Sequence, residues 1–177
     1  MGCRELVELS YRLLPEACRE SFLEAQEIHR DARREAVLER RPKAAAIIAA
    51  ATAAAAGIGA IPIPIADAAL LIPVQTGMIA SLAALHGIGS EAIGHAVLPF
   101  VARVAGLYAA SSLLKWFPVF GSVVNATVAA GLTGAMGWFV HSRFSAMAIA
   151  RIDGHIVADP GLDLAAFREY YRAYRDQ

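Results

Sequence analysis

The segment Gly57-Ile58-Gly59-Ala60-Ile61-Pro62-Ile63-Pro64-Ile65-Ala66-Asp67 interrupts an apolar run that begins at Ala44 and, apart from Asp67, carries no charged residue as far as Gly87. Its glycines lower helix propensity, and its prolines lack an amide donor and bias the residues before them away from the helical region. The run is therefore expected to break here into two apolar arms, Ala44 to Ala56 and Ile65 to Leu85. Asp67 is placed to offer its carboxylate to the free amides that open the second arm. A helical hairpin is the first expectation, and no catalytic device is visible within it.

Working toward the N-terminus, Arg40-Arg41-Pro42-Lys43 forms a basic collar and a kink directly before the apolar run. Such a collar suits orientation at a membrane surface and equally suits a solvated helix end. Upstream, Leu14, Cys18, Phe22, Ala25, Ile28, Ala32 and Ala36 recur at three- and four-residue steps, which predicts an amphipathic helix that Pro15 opens. Its stripe is expected to pack on the apolar middle of the chain. A short helix over residues 3–13 precedes it. Met1-Gly2-Cys3 is a poor acylation signal, because Leu6 stands where a myristoylation motif wants Ser or Thr.

Working toward the C-terminus, Pro73 is expected to bend the second arm, which ends at His86-Gly87. Ser90 opens the next helical region, Pro99 is expected to break it, and the body from Leu98 to Lys115 is apolar apart from Arg103. Trp116-Phe117-Pro118-Val119-Phe120-Gly121 marks a second hinge, and the uncharged stretch after it reaches Ser142. Within that stretch Gly131, Gly134 and Gly137 recur at three-residue steps, a spacing that lets helix backbones approach closely in membranes and in soluble bundles alike. Asp153-Gly154 and Asp159-Pro160-Gly161 read as turns. Asp163 then caps a terminal helix whose stripe is Leu164, Phe167, Tyr171 and Tyr174, flanked by Arg168, Arg172 and Arg175. No strand-period alternation is present, and the fold class is all-α: a multi-helix bundle of apolar hairpins with amphipathic helices at both ends. Three regions make up one domain: charged helical 1–43, apolar core 44–142, and the C-terminal turn and helix 143–177.

Charge is segregated in the same way. Residues 1–43 hold nine basic and nine acidic residues, residues 44–150 only three and two, and residues 151–177 four and five. The chain of 177 residues is 57% hydrophobic and 18% charged, against about 45–50% and about 25% in ordinary soluble domains. A net charge of zero excludes a nucleic-acid surface as the expected function, since phosphate backbones need a positive face. Cys3 and Cys18 have no CxxC spacing, and the histidines at 29, 86, 95, 141 and 155 show no metal-ligand spacing. No metal, cofactor or catalytic residue is therefore expected. Asp67, Gln75, Arg103, Lys115 and Asn125 are the polar residues set in apolar surroundings, and such groups must pair, cap or reach water. Asp67, Leu71 and Gln75 share one helix face, so Asp67 and Gln75 have the spacing to line a polar seam.

The sequence Pro62-Ile63-Pro64-Ile65-Ala66-Asp67-Ala68-Ala69-Leu70-Leu71-Ile72-Pro73-Val74-Gln75-Thr76-Gly77-Met78 resembles the signature of the YcjF-like, GTPase-associated helical family, a bacterial domain of unknown function. The similarity runs from Leu14-Pro15-Glu16, Phe22 and Gln26 to Leu113-Leu114-Lys115, Pro118, Gly121, Thr133 and Gly137. The resemblance implies a module that follows or works beside a small GTP-binding domain and associates with the membrane. It implies Pro62, Pro64, Asp67, Leu71, Gln75, Met78, Lys115, Pro118, Gly121 and Gly137 as structural or interaction residues, and brings no catalytic ones. This chain carries no GxxxxGK[ST] loop and no Asn-Lys-x-Asp motif, and Pro62 spoils Gly57-x-Gly59 as a dinucleotide fingerprint.

The functional expectation is a non-enzymatic helical module that tethers or couples a bacterial GTPase, in cis or in trans, to the membrane. Membrane lipid is an expected partner, self-association a further one, and nucleic acid is not. The basic residues Arg40, Arg41 and Lys43 before the apolar runs and Arg143 and Arg151 after them place both termini in the cytoplasm at the bacterial inner membrane, with an even number of crossings or none. The alternative is a soluble, cytoplasmic interaction or oligomerisation domain whose Ala- and Gly-rich helices pack on one another.

Overall fold

The computed structural model describes residues 3–61, 66–89, 93–111, 120–155, 157 and 159–176. Among them are seven α-helices and no strand: α1 (Cys3–Leu13), α2 (Glu16–Leu38), α3 (Arg41–Ala60), α4 (Ala66–His86), α5 (Leu98–Ser111, entered through a π-helical turn, Ile93–Val97), α6 (Phe120–Ile152) and α7 (Leu164–Arg175). The protein is an all-α bundle, as its apolar periodicity predicts. Its axis is α6, whose 33 residues span about 50 Å at 1.5 Å per residue.

Along α6, Gly59 of α3 lies against Ala126 while Thr52 and Ile48 lie against Gly134 and Gly137. The two helices are therefore antiparallel. Gln75 of α4 meets Thr133, and His86 meets His141, so α4 runs parallel to α6. Leu71, Ile79 and Leu82 of α4, Phe100 and Val104 of α5, and Met136 and Phe144 of α6 are fully buried between these helices. α7 closes the remaining side: Asp163 accepts from the amides of Ala165 at 2.7 Å and Ala166 at 3.2 Å, as its capping position requires. Phe167 is then buried against Phe100 and Phe139, with Tyr170, Tyr171 and Tyr174 following along α6.

Several local expectations are corrected. The first arm does not stop at Ala56 but continues to Ala60, with Gly57 and Gly59 both helical. A Cβ at Gly59 would lie 2.8 Å from Ala126 Cα and 2.8 Å from the Asn125 carbonyl oxygen. Close backbone contact with α6 thus offsets the propensity loss of about 1 kcal/mol that a helical glycine carries. Pro99 does not break its helix; it sits in the first turn of α5 directly after the π-helical turn, whose wider register relieves the clash of a proline ring with the preceding turn. α6 runs through Ser142 and Arg143 without interruption, across the expected regional boundary.

The stripe on α2 also departs from expectation. Only Val37, in the last turn, is buried. Cys18, Ala25, Ile28, Ala32 and Ala36 are exposed, and so are Leu6, Leu9 and Leu13 of α1. α2 is tied down at its C-terminal end, where Arg34 pairs with Asp153 just beyond α6. Upstream of Val37 the stripe faces outward, with only Leu14 and Phe22 half-buried.

Candidate functional site

Three of the signature residues lie on one face of α4 and meet a fourth on α6. Leu71, Gln75 and Met78, at helical spacing, are all buried. Gln75 Nε2 donates to Thr133 Oγ1 at 3.2 Å, while its Oε1 has no protein partner. Opposite them, a Cβ at Gly137 would fall 2.8 Å from Ile48 Cγ1 and 3.0 Å from Met78 Sδ, so absence of a side chain is what lets α3 and α4 meet α6 together. Gly134 is nearly as confined, by the Tyr174 hydroxyl at 3.1 Å and Thr52 Oγ1 at 3.3 Å. Gly131 is not part of the crossing, for its nearest neighbour is the Tyr171 hydroxyl at an ordinary 3.9 Å.

Pro62, Pro64, Lys115 and Pro118 lie outside the described residues, as do the side-chain surroundings of Asp67, in the first turn of α4, and of Gly121, in the first turn of α6. The seam proposed between Asp67 and Gln75 falls there too. Asn125 is buried as its apolar setting predicts, with Nδ2 unpartnered. Arg103 is not: it is exposed, on a cleft of about 760 Å³ shared with His95, Asp159 and Asp163.

The contact that sequence spacing does not disclose is a histidine pair. His86 Nε2 and His141 Nδ1 are 3.0 Å apart, and the rings tilt at 43° with centroids 5.1 Å apart. Trp138 and His141 pack edge-to-face, and Arg41 lies over the Trp138 ring. Burial, then the neighbouring His141 and Arg40, holds His86 down at about 4, and burial with Arg41 lowers His141 as well. Both rings are therefore neutral near pH 7, one donating to the other. They stand 55 positions apart on different helices, so only the tertiary fold brings them together.

The two ends of the bundle differ in character. Arg33, Arg34, Arg40, Arg41, Arg143 and Arg151 gather at the end that holds the histidines. At the other, Ala53, Ala54, Gly57 and Ala60 of α3, Ile61 just after it, Leu70 and Ile72 of α4 and Val124 of α6 are exposed and apolar. Two helical segments, one within Glu16–Ala60 and the other Ala69–His86, are long and apolar enough to cross a membrane, yet only 28% and 39% of their apolar windows is buried. Among the described residues no group of three or more His, Cys, Asp or Glu side chains is placed to hold a metal ion. The fold and this polarity define an all-α bundle with one arginine-rich end and one apolar end. No family profile, curated protein or solved structure matches the chain.

Proposed function

We propose that the protein is a non-enzymatic membrane-association module that couples a bacterial GTPase to the inner membrane, entering the bilayer by its apolar end. The observation that carries this reading is the exposed apolar surface of α3 and α4: a core helix of a soluble protein hides its apolar window, whereas only 28% and 39% of these two windows is fully buried. Charge on α7 limits the depth. Tyr171 and Tyr174 lie beside Gly131 and Gly134, so Arg172 and Arg175 ride at mid-height on α6. Below that level α3 extends only from Thr52 to Ala60, about 13 Å of helix, close to the ~15 Å of hydrocarbon in one leaflet. The bundle enters one leaflet as a wedge without crossing, and its termini stay on the cytoplasmic side. Partnership with a GTPase, in cis or in trans, is supported by the signature from Pro62 to Met78.

Flotation with phosphatidylcholine and phosphatidylglycerol vesicles tests the insertion. The wild-type chain is expected to float and resist alkaline carbonate, whereas Leu70→Glu combined with Ile72→Glu, both at exposed positions, stays in the dense fraction with unchanged helical circular dichroism. A wild-type chain that remains monodisperse in the supernatant would overturn the membrane reading. The alternative is a soluble interaction or oligomerisation domain, which the uncovered residues Leu6, Leu9, Leu13, Leu23 and Ile28 of α1 and α2 favour.

A further inference from the structure

A cavity of about 240 Å³ opens where the last turn of α2, the C-terminus of α4 and the end of α6 meet. Arg33, Arg40, Arg151 and His86 supply its polar lining, and Val37 and Ala148 its apolar part. Among the described residues no carboxylate pairs with any of these arginines; Asp153, which follows the cavity residue Ile152, is taken by Arg34. Arg151 is oriented by a hydrogen bond that it donates to the Gly87 carbonyl at 3.3 Å. His86 is 4% exposed. Its Nε2 is committed to His141, and its Nδ1 is buried with no partner.

Three arginines lining one cavity without a paired carboxylate repel one another, and the buried Nδ1 of His86 is left without a partner. An anion relieves both. We infer that this cavity binds a phosphate group, held by Arg33, Arg40 and Arg151 with His86 Nδ1–H as a fourth donor. A carboxylate offers two oxygens and is satisfied by a single guanidinium fork, whereas a phosphate monoester presents three terminal oxygens to donors arriving from three helices. The anion selects the tautomer in which His141 Nδ1–H donates to His86 Nε2 and His86 Nδ1–H donates outward, so no proton is gained or lost. The site lies about 30 Å along α4 from the apolar end, and it stands independently of the membrane reading.

The test uses the full chain in neutral detergent, with inorganic phosphate as the probe and chloride at matched ionic strength as the control. Saturable movement of the His86 ring nitrogen resonances is expected, and Arg33→Gln and Arg151→Gln, which leave the core untouched, each weaken phosphate binding about tenfold. A wild-type spectrum that phosphate does not move, or arginine variants that bind it as tightly as wild type, would overturn the site. Phosphatidylcholine vesicles with and without phosphatidate then separate the sources. Phosphatidate-dependent flotation that Arg33→Gln abolishes assigns the cavity to a lipid headgroup; phosphate binding with no phosphatidate dependence assigns it to a soluble phosphate compound.

Discussion

α3 and α6 touch along their whole shared length, but by different means at the two ends. Near Ala60 the contact is backbone on backbone, with Gly59 on Ala126 and no charged side chain among the residues described there. Near Arg41 the same pair is joined by a guanidinium over Trp138, which packs edge-to-face with His141, itself paired with His86. The contact at Gly59 rests on the close fit of two backbones. The arginine-rich end adds polar contacts that respond to protons and ions.

The largest expected effect breaks the apolar end. Gly59→Leu forces a side chain into α6 backbone that cannot rotate away, so a loss of about 3 kcal/mol, the upper part of the range for overpacking, is expected in urea unfolding. Full stability in that variant would mean that the helices stand further apart than 2.8 Å contacts imply.

A smaller effect separates the other end by pH. His86 is held at about 4 in the fold and titrates near its ordinary 6.5 when unfolded. Between these values the unfolded chain binds more protons, so stability falls as pH drops through that window and is fully present above it. His141, also lowered, adds in the same direction. Melting temperature followed from about pH 7 to about pH 4.5 should decline, and His86→Gln should flatten the decline. An unchanged slope in that variant would remove the pair from the account.

The smallest effect sharpens the boundary between the two regimes. At Gly131 an added Cβ meets nothing closer than 3.9 Å, so Gly131→Ala should gain about 0.5–1 kcal/mol from helix propensity. Thermal denaturation that shows a loss instead would extend the tight crossing to this turn.

The all-α architecture and the cap at Asp163 follow from periodicity and turn chemistry, which are local. Packing partners are less legible. α2 and α7 carry apolar stripes of the same spacing, yet Phe167 is buried and Ile28 is 65% exposed. A stripe records the need for a partner and does not say which helix receives one. Gly59 reads as a helix breaker until the opposing backbone is known. The cluster of Arg33, Arg40, Arg151 and His86 is not legible in sequence: the basic collar marks Arg40, but the others come from α2, α6 and α4, far apart in the chain.

One-ended attachment gives α2 a mechanical character. Its 23 residues make a rod of about 34 Å, anchored by Val37 and the Arg34 to Asp153 pair near the Glu39-Arg40 turn, with the remainder clear of the bundle. A rotation of about 10° at that turn sweeps Glu16 through about 6 Å. Such a rod is a lever whose fulcrum is the wall of the arginine cavity, so a displacement at its far end changes the distances between Arg33, Arg40 and Arg151, and a ligand that clasps those side chains stiffens the lever in return.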